Sequence, residues 1–352
     1  MKKIGKNKRV KFFMIYSLSI VLLLSLLYSR TCLACTSFAV YSDNIIYGMN
    51  FDYPDSEITI RIDEYEELNK VFYLSFEAFG LHSGDAFLNT EGLFTTMQDH
   101  VPYEPYTMYP EEGSETVSGL AMMSPYLFDT VDEAREYLHD REVIHAYGSY
   151  HSLYADAGGD AMILEVIDEE IARTDIKGSF IVMTNFPIAL QAEKDYKDLT
   201  GFSIDRYVTA YEYIEEHFEE FNIEMAFEAL EKTAQEGGTY PTQYSVVHDP
   251  VNQVSYIAIQ RDYEKIWKVS LADNSVETYT GFNKQIAYTI GEEGVPFSQL
   301  VEYARSDEKA AEVQEENKIK DSNSTFIILP LILAVSVILL SLIVWVRFKK
   351  KS

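Results

Sequence analysis

The sequence predicts an α+β fold in which β-strands dominate. Segments that alternate apolar and polar residues recur along the chain, whereas helical periodicity is confined to a few segments, grouped mainly after Ser203. The chain has 352 residues, of which 47% are hydrophobic. A chain of this size and composition can bury the core of one large domain or of two ordinary ones.

The strand pattern begins directly after Cys35. Phe38 and Val40 alternate with their neighbours, SDN at Ser42–Asn44 is a turn signal, and IIYGMNFDY then resumes an apolar strand. This pattern predicts a β-hairpin. Further strands are predicted at AMILEVID (161–168), SFIVMTNF (179–186), YSVVHD (244–249) and VSYIAIQRDY (254–263), the last two joined by a turn near Pro250.

Three segments show the periodicity of amphipathic helices. They are TVDEAREYLHD (130–140), which has acidic residues in its first turn, SIDRYVTAYEYIEEHFEEF (203–221) and IEMAFEALEKTAQE (223–236). The sequence contains no internal repeat, no phosphate-binding glycine loop, no GxSxG elbow and no Cys/His metal motif.

Charge is segregated along the chain. The formal net charge is −27, but seven Lys and Arg residues precede Cys35 and four follow Val346. Between these two points, 18 basic residues face all 56 acidic residues. Such an acidic body is soluble and is unsuited to nucleic acid, because that binding requires Lys and Arg to neutralise phosphates.

The first 34 residues have the organisation of a signal peptide. A basic start precedes an apolar run from Phe12 to Tyr28, and Cys32 and Ala34 are the small residues expected before a cut at Cys35. The length of the apolar run leaves an uncleaved signal anchor as the alternative. After cleavage Cys35 is the single cysteine, so no intramolecular disulfide is expected.

A second apolar segment lies near the C-terminus. The 21 uncharged residues from Phe326 to Val346 match the ~20 that cross a bilayer core, and the basic residues from Arg347 onward place the C-terminus in the cytoplasm. We therefore expect one exported domain that a single-pass helix holds on the outer face of the cell membrane. The expected parts are the domain (35–304), a charged stalk (305–324), the transmembrane helix (325–346) and a cytoplasmic tail (347–352).

A cut directly before Cys35 leaves this residue with two useful groups. Its thiol is a strong nucleophile once deprotonated, and its free α-amine, with an unperturbed pKa of about 8, is a base within reach. Two other roles compete with this one. Lipid modification would consume both groups, but the residues at Cys32 and Leu33 make a poor lipobox. An ordinary Cys–His hydrolase is less favoured, because the seven histidines form no recognisable motif.

Four segments resemble the N-terminal nucleophile hydrolases of the choloylglycine hydrolase and penicillin V acylase group, with their acyltransferase and ceramidase relatives. The opening CTSFAVYSDNIIYGMNFDY includes the group's Gly-x-Asn-x-Asp at Gly48–Asp52. The other matches are an Asn-x-x-Gly-Leu element in Leu88–Asp99, an Asp-x-x-Gly hairpin in Tyr154–Val166 and a Thr-Asn-x-Pro in Met183–Pro187. Each motif alone is weak, and their order behind a processed cysteine makes the resemblance specific.

The resemblance implies a set of site residues. Cys35 would be the nucleophile and base, and Asp52 the carboxylate that orients the α-amine. Asn185 would position the oxyanion or the amine, and Arg206 would be the group's active-site arginine. The last three also have purely structural interpretations: Asp52 as a cap at a strand end, Asn185 in an Asx-turn, and Arg206 as a surface charge on a helix.

Two positions are less certain matches. The second oxyanion position of the group falls at Gln98 or Asp99. Bile-salt hydrolases carry Arg where this chain has Met49, and a methionine cannot help to stabilise a thiolate. Bile-salt specificity is therefore not expected.

The fold that the resemblance implies is the four-layer αββα sandwich of N-terminal nucleophile hydrolases. The implied activity is hydrolysis of a linear amide C–N bond in a small acyl-amide substrate, through a thioester at Cys35, without a cofactor or a metal. Acyl transfer to an amine is the alternative within the enzyme class. An inactive or lipid-anchored binding protein is the alternative outside it. Neither the acyl group nor the oligomeric state is predicted.

Overall fold

The computed structural model describes residues 35–78 and 81–311. The predicted signal peptide (1–34), membrane helix (325–346), tail (347–352) and the part of the stalk after residue 311 lie outside the described residues. Among the helices that are described, none combines the length and the apolar character needed to cross a membrane.

Most of the described chain is β-structure. The strands are β1 (Thr36–Tyr41), β2 (Ile45–Asp52), β3 (Thr59–Asp63), β4 (Val71–Ala78), β5 (Leu81–Asn89), β6 (Phe94–Asp99), β7 (Glu115–Thr116), β8 (Val143–Ile144), β9 (Tyr150–Ala155), β10 (Ala161–Ile167), β11 (Glu170–Asp175), β12 (Phe180–Thr184), β13 (Thr242–Asp249), β14 (Val254–Ile259), β15 (Ile266–Ser270), β16 (Ser275–Thr280), β17 (Ala287–Thr289) and β18 (Val295–Pro296).

These strands form two large antiparallel sheets. The first sheet has the order β12-β1-β2-β13-β14-β15-β16-β17, and the second has the order β11-β10-β9-β6-β5-β4-β3-β18. The short strands β7 and β8 make a separate parallel pair. In the first sheet β1 lies between β12 and β2, so ends of strands that are distant in sequence meet beside Cys35.

The described residues form fewer helices than strands. They are α1 (Val117–Leu127), α2 (Val131–Tyr137), α3 (Ile204–His217), α4 (Ile223–Thr233) and α5 (297–311), with 3-10 turns at Ala189–Gln191, Tyr196–Asp198 and Phe218–Glu220.

The two sheets pack face to face, and helices cover both outer faces. Between the sheets, Tyr47 of β2 stacks on Phe94 of β6 with ring centroids 5.3 Å apart. On the outer face of the first sheet, Phe38 packs in a cluster with α3 and α4. On the outer face of the second sheet, Tyr154 packs in a cluster with α1 and α2. This succession of helix, sheet, sheet and helix is the αββα arrangement that the sequence predicts.

The N-terminal hairpin forms as predicted, and the Gly-x-Asn-x-Asp segment of β2 has separate structural uses. A Cβ on Gly48 would come within 2.3 Å of the Phe38 ring, so this close approach requires glycine. Asn50 donates from Nδ2 to the carbonyl of Leu230 at 2.7 Å and so ties α4 to the sheet. Asp52, at the end of β2, contacts Cys35 instead.

The remaining predicted elements are found with small differences at their ends. The predicted strands contain β10, β12 and β14, whereas β13 begins at Thr242, two residues before the predicted strand 244–249. The predicted turn near Pro250 joins β13 to β14. The helical segments 130–140, 203–221 and 223–236 contain α2, α3 and α4. The second segment ends earlier as an α-helix than its pattern indicates, because a 3-10 turn follows His217.

Helix α1 is not predicted by its sequence, so the grouping of helices after Ser203 is only partly correct. Gly119 and Pro125 weaken the helical signal, since both residues have low helix propensity. The structure begins the helix with a side-chain cap, in which Thr116 Oγ1 accepts the backbone N–H of Gly119 at 2.9 Å. Burial of Val117 and Leu120 under the second sheet then stabilises α1.

Helix α5 crosses the predicted boundary between the domain and the stalk at 304/305. Asp307 is buried, and its Oδ2 accepts the backbone N–H of Asn283 at 2.9 Å. Glu308 forms an ion pair with Lys265 at 2.5 Å. The first residues of the predicted stalk therefore pack on the domain.

Candidate active site

Cys35 lies directly before β1, in the interior of the first sheet. Thr36, the next residue, pairs with the last residue of β12 on one side and with Asn50 on the other. Because β12 and β2 end here, Asn185 and Asp52 come to lie at the same end of the sheet as Cys35. The Cys35 side chain is only 4% exposed.

The sulfur of Cys35 contacts the backbone of Asp52. The Asp52 N–H donates to Sγ with an N···S distance of 3.4 Å, and Sγ lies 4.0 Å from the Asp52 carbonyl oxygen. Burial and the negative charge of Asp52 raise the pKa of the Cys35 thiol well above its usual range, and the hydrogen bond from Asp52 only partly opposes them. This environment thus favours the thiol over the thiolate.

Arg206 joins Asp52 to Asn185. Its Nη1 donates to Asp52 Oδ2 at 3.2 Å, and its Nη2 donates to Asn185 Oδ1 at 3.2 Å. Arg206 lies in the first turn of α3, and its side chain is 14% exposed while that of Asp52 is fully buried. This burial excludes the interpretation of Arg206 as a surface charge. The structure therefore brings these three predicted residues together beside Cys35.

Two further residues around Asp52 were missed by sequence reasoning. Thr242 donates from Oγ1 to Asp52 Oδ1, and Arg261 donates from Nη1 to the carbonyl of Thr242 at 2.9 Å. Burial raises the pKa of Asp52 to about 7, although Arg206, Thr242 and Arg261 oppose this rise. The pairing of β13 with β2 sets Thr242 opposite Asp52. Arg261 is joined to the site through its bond to Thr242. No local motif in the sequence signals it.

The amide of Asn185 is fixed at both ends. Its Nδ2 donates to the carbonyl of Asp99 at 2.9 Å, while Oδ1 accepts from Arg206. The backbone of Asn185 is held as well, because its carbonyl accepts from Val101 at 2.7 Å and its N–H donates to Ser203 Oγ at 3.0 Å. An amide nitrogen carries two N–H donors, and the Asp99 bond uses one of them. The second donor can serve a substrate oxygen.

Gln98 and Asp99 have different environments at the end of β6. Gln98 faces the first sheet and donates from Nε2 to Ser37 Oγ at 2.9 Å. Ser37 lies two residues after Cys35 on β1, so it shares a face of the sheet with Cys35. Asp99 accepts from Tyr103, and burial raises the pKa of its carboxyl group to about 6. Gln98 therefore offers an amide donor, whereas Asp99 contributes its backbone carbonyl to Asn185.

Met49 is fully buried between the two sheets. It lies opposite Ser37 on the neighbouring strand, on the face of the sheet that Cys35 shares. Its sulfur accepts from Thr96 Oγ1, and the same hydroxyl contacts Asp85 Oδ1 at 2.8 Å. A methionine at this position supplies no positive charge to offset the acidic groups near the thiol.

No protein-family model and no curated protein matches the sequence. Solved structures do match the fold. A conjugated bile acid hydrolase from Clostridium perfringens superposes with a TM-score of 0.55 at 14% identity, over 73% of this chain and 98% of the hydrolase. Penicillin V acylase from Agrobacterium tumefaciens superposes with a TM-score of 0.51 at 18% identity, over 69% of this chain and 90% of the acylase.

Both matched proteins belong to the group that the four sequence motifs resemble. Identities of this size carry information about the fold alone, and the fold they indicate agrees with the two packed sheets and two helical layers. The chain has the N-terminal nucleophile hydrolase fold of the choloylglycine hydrolase group.

Proposed function

We propose that the chain from Cys35 onward is an N-terminal cysteine hydrolase that cleaves linear amide C–N bonds in small acyl amides. The observation that carries this proposal is the bridge of Arg206 between Asp52 and Asn185 beside the Cys35 sulfur. The names of the two matched structures, a hydrolase and an acylase, support the same class of activity.

The proposed reaction starts when the α-amine of Cys35 takes the proton of its own thiol. The thiolate attacks the amide carbonyl, and the resulting ammonium returns the proton to the leaving amine as the C–N bond breaks. This step leaves a thioester on Cys35. Water then attacks the thioester while the amine again accepts a proton. The C–S bond breaks, the carboxylic acid is released, and the ammonium returns its proton to the Cys35 thiolate.

Asp52 and Arg206 support this reaction by electrostatics and positioning. An ionised Asp52 would hold the α-ammonium of Cys35, because opposite charges stabilise each other strongly where water is excluded. The guanidinium of Arg206 favours the ionised form of Asp52 and fixes the carboxylate by a hydrogen bond. Burial raises the pKa of Asp52 to about 7 in the uncleaved chain. A new positive charge at the N-terminus of the cleaved chain would lower this pKa.

The oxyanion of the tetrahedral intermediate needs donors that are already in place. We assign this role to the second N–H of Asn185 Nδ2 and to the side-chain amide of Gln98. Both amides are buried and each is held by another residue, Asn185 by Asp99 and Gln98 by Ser37. Little reorganisation is then needed when the charge develops.

Export, cleavage before Cys35 and a single-pass membrane anchor at 325–346 are part of the proposal, and they rest on the sequence. The supporting pattern is a basic and apolar start, small residues before Cys35, and a second uncharged apolar run followed by basic residues. On this proposal the catalytic domain faces the outside of the cell.

Two alternatives carry different expectations. In an acyltransferase of the same fold, an amine replaces water in the attack on the thioester. In a lipid-anchored or inactive binding protein, Cys35 performs no chemistry. Replacing a whole buried ion pair such as Asp52–Arg206 by apolar residues would often cost no stability. The presence of this pair beside the cysteine therefore favours a chemical role for Cys35 over a role as a lipid anchor.

The deciding experiment is the intact mass of the full-length protein purified from membranes, followed by turnover of acyl amides. We expect an unmodified Cys35 at the N-terminus. We also expect hydrolysis within a panel of N-acyl amino acids, penicillin V, bile salts and acyl-homoserine lactones, and its loss in Cys35→Ala. A diacylglyceryl adduct on Cys35, or a start at another residue, would refute the proposal. Product formation that requires an added amine would indicate acyl transfer.

A further inference from the structure

A cluster of two histidines and one glutamate lies at one end of the neighbouring strands β6, β9 and β10 of the second sheet. His100 follows β6, His151 is on β9 and Glu165 is on β10, and all three side chains are fully buried. The Oε1 atom of Glu165 lies 3.5 Å from His100 Nε2 and 3.2 Å from His151 Nδ1. We call these three residues the histidine–glutamate cluster.

The hydrogen bonding of this cluster is incomplete. Within the part of the chain that the structure describes, both ring nitrogens of His100 and Nε2 of His151 lack a hydrogen-bond partner. A buried polar atom left without a partner destabilises the folded state. The neighbouring His145 differs, because its ring nitrogens contact the Val166 carbonyl and the Tyr150 N–H. Among these three neighbouring histidines, the incomplete bonding is thus found in the two imidazoles that face Glu165.

We propose that His100, His151 and Glu165 bind one zinc ion as three protein ligands, which leaves the fourth tetrahedral position of the ion for another donor. Two ligands that bind zinc at 2.0–2.2 Å with tetrahedral geometry lie about 3.4 Å apart. The two distances to Glu165 Oε1 are close to this value, and the three ligand atoms lie within 4.8 Å of one another. Imidazole nitrogen and carboxylate oxygen are ordinary zinc donors. The ion would supply the missing partner of His100 Nε2 and compensate the buried charge of Glu165.

The site lies behind the segment that carries Asn185. Glu165 accepts the backbone N–H of Ile188 at 2.9 Å and that of Ala189 at 2.6 Å. On the other side, both neighbours of His100 in sequence hold Asn185, Asp99 through its carbonyl and Val101 through its N–H. A bound ion would therefore brace the backbone on both sides of Asn185 without touching the substrate.

Sequence reasoning predicts no metal site because the ligands do not form a local motif. His151 follows His100 by 51 residues, and Glu165 follows His151 by 14. Known zinc motifs place at least two ligands within about five residues of each other. Only the pairing of β6 with β9 and of β9 with β10 brings these three side chains together.

The test uses the full-length protein, stripped of metal with a chelator and titrated with Zn²⁺. We expect one tightly held zinc per chain after desalting. We also expect a rise in melting temperature of about 5 °C or more when free zinc exceeds its dissociation constant roughly 100-fold. His100→Gln and His151→Gln should each weaken zinc binding by more than about 100-fold, because changes outside the ligand shell already cost 10–100-fold.

The matched control is His139→Gln. His139 is exposed beside Asp140, an arrangement in which surface zinc binding would be adventitious, and its replacement should leave the tight site intact. If a ligand variant fails to fold, Co²⁺ bound to the wild-type protein still tests the proposal, since tetrahedral nitrogen and oxygen ligands give Co²⁺ intense visible absorption bands.

Three results would overturn the proposal: no zinc retained by the wild-type protein, retention unchanged in His100→Gln, or loss of the same zinc in His139→Gln. None of these readouts depends on amide turnover, so they are independent of the proposed chemistry at Cys35. The cluster would then be a buried polar network of two histidines around Glu165.

Discussion

Arg206 donates to Asp52 across 154 residues of chain and thereby joins the start of α3 to the end of β2. The same guanidinium also donates to Asn185, which follows β12. Three segments that are distant in sequence are thus fixed in one place beside Cys35. Because Asp52 is fully buried, loss of the Arg206 guanidinium would leave the Asp52 carboxylate inside the protein without a compensating positive charge.

Replacing Arg206 by Gln should therefore reduce both stability and turnover. We expect the free energy of unfolding to fall by about 3–5 kcal/mol, as for other broken buried pairs. We expect kcat to fall by about 100-fold or more, since Asn185 would lose the partner that orients its amide. Urea denaturation and steady-state kinetics measure the two effects. Arg141→Gln is the control, because Arg141 pairs with Glu115 at the surface. Equal losses of unfolding free energy and kcat in the two variants would contradict the role assigned to Arg206.

The second oxyanion donor can be assigned by a pair of substitutions. Gln98→Met removes the side-chain amide and should lower kcat by about 10²–10³-fold with little change in KM. Asp99→Asn keeps the backbone carbonyl that Asn185 uses, so its effect on kcat should be small. A larger loss of kcat in Asp99→Asn than in Gln98→Met would assign the second oxyanion position to Asp99 instead of Gln98.

Met49→Arg tests the electrostatics of the thiol. The added guanidinium would lie on the Cys35 face of the first sheet, near Asp85, and should lower the pKa of the thiol. We expect faster alkylation of Cys35 by iodoacetamide near neutral pH than in the wild-type protein. Met49→Leu, which preserves the apolar packing, should leave the rate unchanged. An unchanged rate in folded Met49→Arg would show that this position does not influence the thiol.

Asp85 should make stability depend on pH. Burial raises the pKa of its carboxyl group to about 7, although Met97, Thr96 and Ala86 donate to it. The folded state therefore holds this proton more tightly than the unfolded state, whose Asp pKa is about 3.9. The resulting stabilisation is complete below about pH 4 and is lost as pH rises through 7, with a slope of at most ~1.4 kcal/mol per pH unit.

Asp85→Asn should remove this dependence. The variant should gain stability relative to the wild-type protein as pH rises from 4 to 7, which urea denaturation at several pH values would reveal. Asp140→Asn, at an exposed position beside His139, is the control and should follow the wild-type curve. Parallel curves for the wild-type protein and Asp85→Asn would mean that Asp85 has the same pKa in the folded and unfolded states, and would contradict the raised pKa.

The sequence predicts the fold better than it predicts the full site. Cys35, Asp52, Asn185 and Arg206 lie in motifs of recognisable order, and the structure brings the last three into contact. Thr242 escapes prediction, because its contact with Asp52 depends on strand pairing across 190 residues.

Two other features are not predicted by the sequence, for different physical reasons. Helix α1 contains Gly119 and Pro125, so tertiary packing rather than local propensity decides its conformation. The histidine–glutamate cluster is assembled by three strands, and no spacing along the chain reveals it.

The central claim is that thiol and amine act together on Cys35. It is tested by inserting one glycine between Ala34 and Cys35, which keeps the thiol but converts the α-amine into an amide. Turnover of the best acyl amide of the panel is then compared among the wild-type, extended and Cys35→Ser proteins, after the mass of each N-terminus is verified. If the amine is the base, the extension should reduce turnover by orders of magnitude, about as much as Cys35→Ser, because groups that act as a unit lose their benefit together. Full activity in the extended protein would show that the base lies elsewhere and would contradict the N-terminal nucleophile mechanism.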